Sequence, residues 1–111
     1  MSNFNFNKIM VELDICEEPF IATIDMKTVV HYKMKNKKPF LASMQGIGDL
    51  DELEIIKLLG SVIRKDEKSD PVGYEFFKEF NPLAVVESLT PILVTVMGGN
   101  MPEAENEEEK K

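Results

Sequence analysis

The chain has 111 residues, 43% of them hydrophobic and 30% charged, with a net charge of −7. That length sets one domain with a modest core. The acidic balance argues against nucleic acid as a partner of the whole surface, and no apolar run approaches the ~20 residues that span a bilayer.

Residues 1–7, in MSNFNFNK, lack the basic-then-apolar layout of a signal peptide. They are read as a flexible N-terminus, and the protein is expected in the cytoplasm. Lys8 to Ile15 (KIMVELDI) alternates: Ile9, Val11, Leu13 and Ile15 on one face, Lys8, Met10, Glu12 and Asp14 on the other. Cys16 to Pro19 supplies a turn, and Phe20 to Ile24 is a second short strand. The turn is not of the two-residue Asn-Gly type, so it leaves the hairpin register open. Cys16, the only cysteine, excludes an intramolecular disulfide and, in a monomer, a thiolate zinc site. It is read as a small, partly buried apolar residue.

Asp25 fits an N-cap for a first helix to about Lys35, with Met26, Val29, Val30 and Lys33 at helical spacing. Pro39 opens a shorter helix whose apolar side is Phe40, Leu41 and Met44, and Gly46 and Gly48 end it. Asp49 to Glu52 has the layout of a capping box for a third helix to about Arg64. Ile55, Ile56, Leu59, Val62 and Ile63 form its stripe, widened by Leu53 and Leu58. Arg64 to Asp70 (RKDEKSD) reads as a solvated connection. Asp70 and Pro71 then restart a helix that carries Phe76, Phe77 and Phe80. On helical spacing Phe76 and Phe80 share a side and Phe77 points about 100° away.

Asn81 and Pro82 cap and open the terminal helix, NPLAVVESLTPILVTVM. Ala84, Glu87, Ser88, Pro91 and Thr95 fall in one narrow arc. Leu83, Val85, Val86, Leu89, Ile92, Leu93, Val94, Val96 and Met97 cover roughly 200° of the circumference. Such a helix needs cover from two sides, so part of this perimeter is expected to meet other polypeptides. Pro91 should kink the helix, and Gly98 and Gly99 should stop it. The tail from Glu103 to Lys111 holds five Glu and two Lys, net −3, leaving −4 for the rest. Residues 100–111 read as a disordered, solubilising acidic tail. The expected fold is therefore α+β and predominantly helical: an N-terminal β-hairpin followed by about five helical segments, in one domain over residues 8–99.

Few residues suggest chemistry. His31 is the only histidine and sits on a mostly polar helix face. Asp49, Asp51, Glu52 and Glu54 do not match a calcium loop, and helix capping accounts for them. Lysines 27, 33, 35, 37 and 38 form the one basic patch, read as a solvated helix end. Gly46-Ile47-Gly48 is not a phosphate loop. Ser43, Ser61 and Ser88 have no histidine at a recognisable offset. The chain is therefore expected to be no enzyme and to need no metal or cofactor. Its candidate residues are protein-interaction ones: Phe76, Phe77, Phe80, Val85, Leu89, Ile92 and Val96, aromatic and aliphatic anchors of the kind that concentrate binding energy.

The run Ile24 to Met44, IDMKTVVHYKMKNKKPFLASM, an acidic start and then LEIIKLLGSVIRKDE resemble the tail assembly chaperones of long-tailed bacteriophages. Those proteins carry a strand pair, an Ile-Asp-leading helix, a short Phe-Leu-Ala helix, a Leu/Ile-rich helix, a linker and a final apolar helix. The likeness spans Lys8 to Met97 and rests on pattern and element order; Pro91 and the acidic tail depart from it. It implies a chaperone that coats the tape measure protein, keeps it soluble and helps recruit tail tube subunits. It also implies self-association, host cytoplasm as the location, absence from the mature virion, and a longer form made by frameshift. A rival reading is a small acidic regulator that occupies a basic surface of a host protein. A third is a structural tail component, for which a solubilising tail has little use.

Overall fold

The computed structural model describes residues 6–100; residues 1–5, and 101–111 of the expected acidic tail, lie outside them, while residue 100 belongs to the last helix. Strand β1 (Met10–Ile15) keeps the expected alternation, with Val11, Leu13 and Ile15 turned inward and Met10, Glu12 and Asp14 exposed. It pairs antiparallel with β2 (Glu18–Thr23), Ile15 facing Glu18 across the turn. Only Cys16 and Glu17 connect them, both with positive φ (53° and 68°). That is the hairpin loop favoured by strand twist, here made without Asn or Gly. Cys16 is exposed, which corrects its reading as partly buried: a residue at a two-residue hairpin tip has nothing packed over it.

Asp25 caps α1 (Met26–Asn36) as expected, in a box with Thr28. Pro39 precedes α2 (Phe40–Gln45). Phe40 and Met44 are buried there, while Leu41, expected on the same side, is exposed. The cap of α3 (Glu52–Val62) is Asp51, two residues beyond Asp49, and its side chain accepts from the Glu54 N–H at 2.9 Å. Ile47–Asp49 forms a 3₁₀ turn instead.

The third helix then ends in a strand the sequence reading missed. Ile63–Arg64 is β3, and it pairs with β2, Ala22 facing Ile63 and Ile21 facing Arg64. The result is a three-stranded antiparallel sheet in the order β1-β2-β3. Arg64 is consequently no part of a solvated connection. It is 0% exposed, and its guanidinium forks onto Asp25, Nη2 to Oδ1 at 2.7 Å and Nη1 to Oδ2 at 3.0 Å. The charged run becomes solvent-exposed only from Lys65.

Asp70 and Pro71 do not restart a helix. Val72 N–H donates to the Ile63 carbonyl (3.0 Å) and Gly73 N–H to the Gly60 carbonyl (2.8 Å), which holds this segment extended along α3 and β3. A single 3₁₀ turn, Tyr74–Phe77, follows. The fold is thus α+β with four α-helices; the fifth helical segment is this turn.

Helix α4 (Pro82–Asn100) starts as expected, Asn81 Oδ1 accepting from the Leu83 and Ala84 N–H groups. It runs on through Pro91, Gly98 and Gly99. Pro91 still leaves the Glu87 carbonyl without its helical donor. The element covered from every side is α3, whose residues 58–62 are all buried among α1, α2, α4 and the 3₁₀ turn. Helix α4 lies against α3 and the hairpin.

Candidate protein-binding surface

Where α4 leaves the 3₁₀ turn it passes the tip of the hairpin, and an open groove of about 300 Å³ runs between them. Ile15 and Cys16 form one wall; Phe77, Phe80, Val85 and Leu89 form the floor and the other wall. The aromatic part of the lining is set by three rings in mutual edge contact: Phe76–Phe77 at 5.0 Å, Phe76–Phe80 at 5.7 Å and Phe77–Phe80 at 6.0 Å between centroids. A regular helix would have sent Phe77 away from its neighbours. The 3₁₀ turn and the bend into Asn81 fold all three together, a geometry that spacing alone does not reveal.

Four of the seven sequence-named residues, Phe77, Phe80, Val85 and Leu89, thus meet in one groove. Phe76 is turned toward the sheet, its ring 5.2 Å from that of Phe20. Ile92 is half-buried and Val96 is fully buried. Most of the wide apolar arc of α4 is used internally: Val85, Leu93 and Val96 belong to the core, and Val86, Leu89, Ile92 and Met97 pack against it. Only Leu83 (64% exposed) and Val94 (49%) remain largely open to solvent.

Helix α1 shows the reverse. Met26, Val29 and Val30, the apolar residues read at helical spacing, are exposed together with Met34, while Thr28 and Tyr32 are buried. The inward polar groups are satisfied. Thr28 Oγ1 donates to the Thr23 carbonyl (3.1 Å), Tyr32 donates to Ser43 Oγ (3.0 Å), and His31 Nδ1 lies 2.8 Å from Ser61 Oγ. Counting apolar positions could not find this; the hydrogen-bonding partners that make it possible lie 5 to 30 residues away.

His31 and Ser61 are the nearest approach to a catalytic pair. Ser61 is fully buried within α3, so no substrate reaches its hydroxyl. Burial, and then the neighbouring Lys35, lower the His31 pKa below its ordinary 6.5. Of the carboxylates named from sequence, Asp51 caps α3, and Glu54 pairs with Lys38 (3.2 Å) and Lys57 (3.8 Å). Among the described residues no three His, Cys, Asp or Glu side chains gather into a metal-binding group. None of their helices is long and apolar enough to cross a membrane. The chain matches no protein-family model, no curated protein and no solved structure.

Proposed function

We propose that this chain is a non-enzymatic tail assembly chaperone of the long-tailed phage type. It binds amphipathic helices of the tape measure protein, keeps them soluble, and releases them as tail tube subunits polymerise. The observation that carries this reading is the open apolar groove built from Phe77, Phe80, Val85 and Leu89. A groove of this kind accepts the apolar face of a helix. The net charge of −7 keeps a complex with an apolar client dispersed. Weak binding per copy suits release, and several copies along one client supply avidity. Self-association, work in the host cytoplasm and absence from the finished virion belong to the same proposal.

Co-expression with the tape measure protein tests it. Wild-type chain should move that client into the soluble fraction, and Leu89→Glu should abolish the effect while the fold is retained. Val94→Glu, exposed outside the groove, should behave as wild type. A client that is equally insoluble with and without this chain ends the proposal. The rival, an acidic regulator, draws on the exposed Glu12, Asp14, Glu17 and Glu18 around the hairpin. Under that reading Leu89→Glu would leave activity intact and charge reversal at Glu12 and Glu17, which lie outside the groove, would remove it.

A further inference from the structure

The outer face of α1 has no use in the groove or in the core. Met26 (72% exposed), Val30 (49%) and Met34 (67%) follow one another at four-residue spacing, so they form a single slanted stripe. The stripe extends for about 12 Å along the helix, at a rise of about 1.5 Å per residue. Beside its N-terminal half lies a recess of about 410 Å³ walled by Met26, Lys27, Val30, His31, Asp70 and Pro71, where Asp70 faces Lys27 and His31, so the net positive flank lies at the C-terminal half of the stripe. Methionine is well suited to an adaptable contact surface, because its unbranched thioether fits varied shapes.

The charges around this stripe point to its occupant. From Met26 to Gly48 the chain has five lysines and no carboxylate, in a molecule of net charge −7. Lys35 is paired with Glu75 and Lys38 with Glu54. Lys33 stands beside the stripe on the exposed face, Lys27 lies along its other edge, and Lys37 closes its C-terminal end. Lys27 sits on the Lys68 and Ser69 carbonyls within electrostatic reach of Asp66, whereas Lys37 donates to the neutral Met34 carbonyl, so Lys33 and Lys37 are the cations left to face a partner. A partner that covers Met26, Val30 and Met34 brings its own flanks against these cations. Carboxylates there are attracted, and lysines are repelled.

We propose that the outer face of α1 is a second docking surface, which binds an amphipathic helix of another protein whose apolar stripe is flanked by Glu or Asp. It shares no residue with the hairpin–α4 groove, and it holds whatever the client of that groove is.

The test uses the full chain and two labelled helical peptides of about four turns, with the same leucine stripe and either Glu or Lys at the flanking positions. Fluorescence anisotropy should show the Glu-flanked peptide binding at least about tenfold more tightly than the Lys-flanked one. Salt should shrink this difference. Val30→Glu and Met34→Glu should each weaken the Glu-flanked peptide by about tenfold or more, and Lys33→Glu by about three- to tenfold. Leu89→Glu should leave this binding unchanged. Equal binding of both peptides, no binding of either, or wild-type affinity in Val30→Glu and Met34→Glu overturns the proposal. So does sedimentation showing a wild-type dimer that Met34→Glu dissociates, because a second copy would then cover the face. If Val30→Glu melts early, the more exposed Met34→Glu decides.

Discussion

Asp25 ties three parts of this structure together. It caps α1, accepts the bidentate guanidinium of Arg64, and receives Lys8 at 3.2 Å. Removing one member of such a pair is unequal in its consequences. Asp25→Ala strands a fully buried cation and deletes a helix cap, and should cost about 3 kcal/mol or more. Arg64→Met leaves a carboxylate that keeps Lys8, the Thr28 N–H and some water, and should cost about 1–2 kcal/mol. Denaturant titration of the two variants checks the order. The Arg64 hydrogen bonds, with help from the Thr28 N–H and Lys8, hold the Asp25 pKa far below the ordinary 3.8. Its stabilisation is therefore complete at neutral pH and is lost as the pH falls below about 4. At the hairpin tip the strain runs the other way. Glu17 holds φ at 68° with a Cβ that disfavours it, so Glu17→Gly should stabilise the fold by about 1 kcal/mol in the same assay.

Among the elements, α3 is the one everything else leans on, and a glycine decides how closely. A Cβ on Gly60 would overlap the Gly73 carbonyl carbon and the Tyr74 nitrogen, both backbone atoms with nowhere to move. Gly60→Ala should accordingly cost at least about 2–3 kcal/mol, although alanine is the better helix former. A thermal melt is sufficient to see it. The pairing of α1 with α3 through His31 and Ser61 adds a pH dependence of the same sign as that of Asp25, in a different window. Because the folded protein holds the His31 pKa below 6.5, the unfolded chain binds the proton first, and stability declines as the pH falls through and below that ordinary value. His31→Gln should flatten that part of the profile. For α4, the burial of Val96 has a practical consequence: a charge placed there would report on the core, and Leu89 is the informative position for binding.

At the scale of the whole molecule, charge and apolar surface oppose one another. The groove and the α1 stripe both invite association, and the net charge resists it. Lowering the pH from 7 toward the pI of about 4.7 removes the repulsion. Light scattering should rise steeply over that interval, and Met34→Glu combined with Leu89→Glu should suppress the rise. Both effects follow from surface composition and neither requires unfolding.

How much of this was legible beforehand follows from the range of each cause. Helix caps at Asp25 and Asn81, the helix start at Pro39, the alternation of β1, and the α+β class all arise from residues a few positions apart, and they stood in the sequence. So did four members of the groove, because aromatics and aliphatics concentrated after Tyr74 have few roles other than core or contact. The two-residue hairpin was hidden because Cys-Glu adopts it only under the pull of the flanking strands. The burial of Arg64, the extended path of 70–73 and the outward stripe of α1 depend on partners distant in the chain. Sequence periodicity specifies which side chains share a face of an element. Which face turns inward is decided by what lies across from it, and in α1 it is the face whose Thr28, His31 and Tyr32 meet partners at Thr23, Ser61 and Ser43.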